Sequence, residues 1–247
     1  MTESPSLPVR LPDTLLGWLV LAVAVLTLWL AVPRSIASFY ALHPSTILKE
    51  TKQLPDETYL AAIADIDAAL AWHEDPDYWH TRAQLLLRHL KNPELSETDK
   101  RDTVEQSIQA TERGLSLSPV DPFAWQRLAF LRQAINLSQQ EVIAAFKLSI
   151  YAGRVEPELA VSRVGLGFDA LAELDAEAQE LWIKQIPIAY QFQFNELVQW
   201  SAQHPESKPY VEQSLQRSPE KQAIFNSAYA IAYQAAHRPV RTYAGYQ

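Results

Sequence analysis

Histidines are the first residues to test for chemistry, because imidazole serves as metal ligand and general base. The chain has His43, His73, His80, His89, His204 and His237. His73 and His80 flank Glu74, Asp75 and Asp77, so one short stretch gathers nitrogen and oxygen donors. A helical zinc pair needs histidines at i and i+4, and Asp75-Pro76 breaks the helix between these two. The stretch reads as a polar helix corner. Asp65-Ile66-Asp67 sets two carboxylates close together, as a shared metal would require, but both point away from the apolar stripe of an amphipathic helix and read as a solvated face. Gly165-Leu166-Gly167 lacks the preceding strand and third glycine of a phosphate cradle. No G-x-x-x-x-G-K, G-x-S-x-G or H-E-x-x-H pattern occurs. A Ser-His-Asp site can assemble from distant residues, and nothing promotes a particular serine. Cysteine is absent, which removes thiol nucleophiles and disulfides. No catalytic residue, no cofactor and no metal is expected.

The tryptophans offer recognition rather than reaction. Trp72, Trp79, Trp125, Trp182 and Trp200 lie in or beside helical segments, mostly on apolar faces, and most should be core. One or two can anchor a partner, since indoles are frequent hot spots. The candidates for partner binding are Trp79, Trp125, Arg163 and Trp182, with Glu158, Arg163 and Lys184 supplying a polar rim. The net charge of −8 argues against nucleic acid, which needs clustered Lys and Arg.

Residues 14–32 read TLLGWLVLAVAVLTLWLAV, without a charge. As a helix this run spans about 28 Å, close to a hydrocarbon core. Trp18 and Trp29 stand near its ends, where indoles favour the interface, and are the candidate membrane anchors. The run exceeds a signal-peptide core, although Ser35-Ile36-Ala37 offers a small-residue cleavage site; an uncleaved anchor is the favoured reading. Arg10 precedes the span, and Arg34, Lys49 and Lys52 follow it. That count leans toward a cytoplasmic C-terminal part. The short N-terminal tail leans the other way, and we favour a single pass in a bacterial inner membrane with a periplasmic domain.

The elements beyond the span are helices. Tyr59, Ile63, Ile66 and Leu70 recur at helical spacing, as do Val104, Ile108, Thr111 and Leu115, and Ile143, Phe146 and Ile150. Asp75-Pro76 and Asp121-Pro122 each combine an N-cap with proline at the first helical position. Ser138-Gln139-Gln140-Glu141 fits a capping box, Gly153 suits a stop, and Ser218-Pro219 opens a last helix. The spacing predicts helices over 56–73, 77–91, 97–117, 122–135, 139–152, 158–173, 176–186, 188–203 and 219–236, with a shorter one over 208–216. Pro187 is expected to split or kink its helix. No run alternates with period two long enough for a sheet. The expected organisation is an N-terminal tail (1–13), the span (14–32), a linker (33–54), one helical domain (55–236) and a mobile tail (237–247). Arg238, Arg241, Tyr243 and Tyr246 in that tail could form a docking peptide.

Residues 115–133, LSLSPVDPFAWQRLAFLRQ, then read as a corner: Ser118-Pro119-Val120 ends one helix, and Asp121-Pro122 starts the next. Pro119, Trp125, Leu128 and Ala129 resemble the tetratricopeptide repeat pattern of a proline, an aromatic six residues on, then a leucine and a small residue. Pro157, Leu166, Gly167 and Ala170 repeat it, with Arg163 in place of the aromatic. Asp75-Pro76-Asp77-Tyr78-Trp79 echoes Asp121-Pro122-Phe123-Ala124-Trp125, with Ala83 matching Ala129. The resemblance covers roughly residues 75–173. It implies an all-α degenerate stack of antiparallel helix pairs whose concave surface binds protein partners. A span followed by such a repeat also resembles small membrane proteins of bacterial envelope polysaccharide machinery. The expected function is a non-enzymatic membrane-anchored adaptor or scaffold whose partners are the lipid bilayer and proteins of polysaccharide synthesis or export. The alternative is a membrane-tethered glycan-acting enzyme without a recognisable motif.

Overall fold

The computed structural model of the chain describes residues 13–238, and every regular element among them is helical. The N-terminal tail (1–13) and the tail from residue 239 onward, with Arg10, Arg241, Tyr243 and Tyr246, lie outside the described residues, apart from the backbone of Asp13. The chain divides into two compact units, Met1–Pro93 and Glu94–Gln247.

The first unit is built from α1 (Asp13–Lys49), α2 (Asp56–Trp72) and α3 (Pro76–His89). α1 runs unbroken for 37 residues, through Pro33 and Pro44. Its apolar part is long enough to cross a membrane and is 0% buried by the rest of the chain. Residues 33–54, expected as a linker, are therefore helical as far as Lys49. Proline removes one ladder bond but does not oblige a helix to end when packing holds both sides. Here Pro44 is buried, and Ala37 and Ala41, one turn apart, are core. They meet Tyr59, Ala62, Ile66 and Ala69 of α2 and Leu85 of α3. The buried stripe of α2 thus uses Ala62 and Ala69, with Ile63 partly buried beside them; the small side chains let the two helices approach closely. His43 Nδ1 lies 2.7 Å from Asp65 Oδ2, and the Arg34 Nε–H donates to His73 Nε2 at 3.3 Å. These pairs run in opposite directions along the helices, so α2 returns antiparallel along α1.

The second unit contains α4 (Glu97–Leu117), α5 (Pro122–Ala134), α6 (Gln139–Ala152), α7 (Ala160–Asp169), α8 (Ala176–Ile183), α9 (Gln185–Phe192), α10 (Phe194–Gln203), α11 (Lys208–Leu215) and α12 (Pro219–Ala236). α5 packs on both α4 and α6; further on, α7 packs chiefly on α9, and α10 on α12. Side-chain caps set the starts of α3, α4, α5 and α8. The Asp121 side chain accepts from the Phe123 and Ala124 N–H groups, and Asp75 accepts from Asp77. α5 ends where Asn136 takes a left-handed φ of 53° and the Leu137 N–H returns to the Arg132 carbonyl. The capping box at Ser138 is not formed: its side chain makes no cap bond, and its carbonyl receives the Glu141 N–H instead. Pro187 sits within the first turn of α9, where its missing N–H costs nothing, and the helix expected over 188–203 is two, α9 and α10, parted at Gln193. The Gln193 side chain accepts from the Val161 N–H at the start of α7, which holds that junction in place.

One glycine is dictated by packing. A Cβ on Gly167 would lie 2.3 Å from Cδ1 of the buried Trp182 ring. The same indole donates to the Val164 carbonyl at 2.9 Å, which locks it against the α7 backbone. Phe168, Trp200 and Tyr210 continue the contact edge to face, with Phe168–Trp200 centroids 5.7 Å apart. Gly167→Ala should therefore destabilise the protein by about 1–3 kcal/mol despite alanine's better helix propensity. Denaturant midpoints of the wild type and variant in detergent check this.

Candidate functional site

The two Asp-Pro corners place their tryptophans alike. Trp125 folds back over its corner, and its indole N–H donates to the Pro119 carbonyl at 2.8 Å. Trp79 donates to the Glu74 carboxylate at 3.0 Å. Both rings are half-buried, while Ala129 and Ala83, four residues on, are fully buried. Each indole pins the chain entering its helix and keeps one face open.

Arg163 and Trp182, expected as partner contacts, are interior: Arg163 is 0% and Trp182 2% exposed. Neither side chain can reach a partner. Arg163 stands at the position an aromatic would fill in the repeat pattern, and it has another task there. Its Nε donates to Ser149 Oγ, Nη1 to the Gly153 carbonyl and Gln185 Oε1, and Nη2 to the Ser149 carbonyl at 2.6 Å. Ser149 in turn donates to the Pro122 carbonyl at 3.0 Å. One guanidinium therefore ties α7 to the ends of α6 and α9 and, through Ser149, to the start of α5. Burial pulls its pKa down to about 10, with the Glu156 charge opposing, so it stays protonated at neutral pH.

The carboxylates flagged from sequence do not converge. Asp65 pairs with His43, and Asp67 accepts from Arg82 Nε at 2.6 Å, so neighbouring residues reach different helices. His73 is engaged by Arg34, and His80 is buried within α3. No group of metal-binding side chains forms among the described residues. His89, which drew no interest in sequence, sits 2.5 Å from Asp56 Oδ1, while Asn92 donates to Oδ2 of the same carboxylate; this closes the end of α3 onto the start of α2.

The exposed features of the second unit were not singled out from sequence. Phe123 and Phe130, seven residues apart on one face of α5, are 37% and 56% exposed. Leu148 and Tyr151 are likewise exposed on α6. The signal is present in the sequence, since both phenylalanines lie off the Trp125–Leu128–Ala129 face at helical spacing. Glu158 is exposed beside α7, and Lys184 is exposed and paired with Glu180. Next to Tyr151, Lys147 pairs with Glu177 and with Asp175 at 3.2 Å, and the Tyr151 hydroxyl donates to Glu177.

Comparison with protein-family models finds no match, and comparison with curated proteins finds none.

Two outcomes follow from this geometry. Arg163→Ala should cost about 3 kcal/mol or more, because buried carbonyls lose a charged donor; Arg163→Lys should recover only part, since an ammonium cannot fork to the same acceptors. The second concerns pH. The Ala178 N–H, then Lys147, lower the Asp175 pKa, and Lys147, then Tyr151, lower that of Glu177. A carboxyl depressed on folding stabilises above its unfolded pKa, and that contribution fades as pH falls through the folded value. Thermal unfolding between about pH 3 and 7 should show an acid-side loss that Lys147→Met makes shallower.

Proposed function

We propose that this protein is a non-enzymatic, membrane-anchored adaptor. Its first helix holds it in a bilayer, and its second unit, a degenerate tetratricopeptide-like stack, presents the open face of α5 to a protein partner. The observation that carries this reading is the pairing of two unpartnered apolar surfaces on one chain. The first half of α1 is exposed along its length, and Phe123 and Phe130 stand out on the face of α5 turned away from Trp125. Large exposed aromatics are costly to leave in water and are common anchors of interfaces. Confinement to a membrane would act by raising the effective concentration of the bound partner. The resemblance to polysaccharide-associated membrane proteins points to envelope synthesis or export machinery as the partner, with the second unit in a bacterial periplasm.

The test is co-purification of the full-length chain in mild detergent, with mass spectrometry of what accompanies it. Recovery of glycosyltransferase or export subunits at near-equal stoichiometry supports the reading, and recovery of the chain alone overturns it. Phe130→Ser should reduce recovery at least tenfold, about 1.4 kcal/mol of binding, while leaving the unfolding midpoint within a degree or so, as expected of an exposed hot spot. Trp125→Ala should lower both stability and binding, because that indole also pins its corner.

A further inference from the structure

α2 ends where the apolar run of α1 stops. Residues 33–49 of α1 and the 17 residues of α2 each measure roughly 25 Å, and the His43–Asp65 and Arg34–His73 pairs lay them side by side. Trp72 is the last residue of α2, and it is 50% exposed. It closes one side of a nearly apolar groove of about 490 Å³, whose other walls are Val25, Leu28, Trp29, Val32 and Pro33. The groove is thus continuous with the exposed surface of the apolar run. Just beyond it stands Arg34, exposed, its guanidinium donating to His73 Nε2. The nearby acids are turned to their own corner: Glu74 accepts from Trp79, and Asp75 from the Asp77 N–H.

We propose that this corner is a lipid-binding foot. Trp72 seats in the interfacial layer of the bilayer, a phospholipid acyl chain fills the groove between Trp72 and Trp29, and Arg34 meets the phosphate of the same lipid. The order of groups suits that occupant: aliphatic side chains deepest, two indoles at interface depth, a guanidinium beyond them. The proposal rests on the reading of α1 as a membrane span. Its consequence is that the first unit is held to the membrane at two points, so that α2 and α3 stand at a fixed height rather than swinging about a single helix.

The absence of native cysteine makes a depth measurement direct. Full-length Trp29→Cys, Trp72→Cys and Lys49→Cys variants carry one fluorophore each in phosphatidylcholine vesicles. The quencher is a lipid nitroxide placed near the carbonyl end of an acyl chain. The label on Trp72→Cys should be quenched to within about twofold of the label on Trp29→Cys, with Lys49→Cys at background. Quenching at position 29 with position 72 at background overturns the foot and leaves the span standing. Background at both positions removes the span, and the foot with it. If Trp72→Cys loses helicity by circular dichroism, the exposed neighbour Ala71→Cys reads the same depth with the indole kept.

Discussion

The first unit depends on one constraint: α1 remains a single rod through Pro33. Everything that positions α2 and α3 is attached to the part of α1 beyond that proline. Ala37 and Ala41 form the seat for α2, His43 and Arg34 set its direction, and Ser38 Oγ lies 3.3 Å from the Tyr78 hydroxyl of α3. Were the helix to break at Pro33, these contacts would lose a common axis. The ladder bonds that Pro33 and Pro44 cannot make leave the Trp29 and Tyr40 carbonyls short of a donor. The close packing of Ala37 and Ala41 on α2, with Ile47 and Leu48 partly buried beside them, offsets that loss by removing apolar surface from water.

The second unit solves a different problem with a charge. Where α6 ends, carbonyls of Ser149 and Gly153 converge on one point, and a planar guanidinium with forked donors meets them. An aromatic at position 163 would fill the space and leave those acceptors unanswered in a dry interior. Arg163 is therefore a positioning residue for four helices. The exposed apolar side chains Phe123, Phe130, Leu148 and Tyr151 lie elsewhere, on the outward faces of α5 and α6.

Much of this was legible locally. Asp75-Pro76 and Asp121-Pro122 announce helix starts because a cap and a fixed φ act over three residues. The stripes through Val104, Ile108, Thr111 and Leu115, and through Ile143, Phe146 and Ile150, are buried as their spacing implied. What failed to read did so for physical reasons. Proline signals a weak point in a helix but not whether a neighbour reinforces it, so 33–54 looked like a linker. The same limit applies to α2, where Ala62 and Ala69 outrank Ile63 because close approach, not side-chain size, decides burial. Ser138 looked like a capping box, yet the chain entering α6 offers its carbonyl in place of its hydroxyl.

By itself the sequence determined an all-helical chain, one run apolar and long enough to cross a membrane, and the places where most helices begin. These are properties of short range: periodicity, caps and the cost of charge in an apolar run. Tertiary structure alone decided that Arg163 and Trp182 are interior, that Trp72 is open, and that Asp65 and Asp67 serve different helices. A side chain's identity sets what it can bond with. Whether it meets water, lipid or a carbonyl depends on which helices close around it, and that is fixed by contacts distant in sequence.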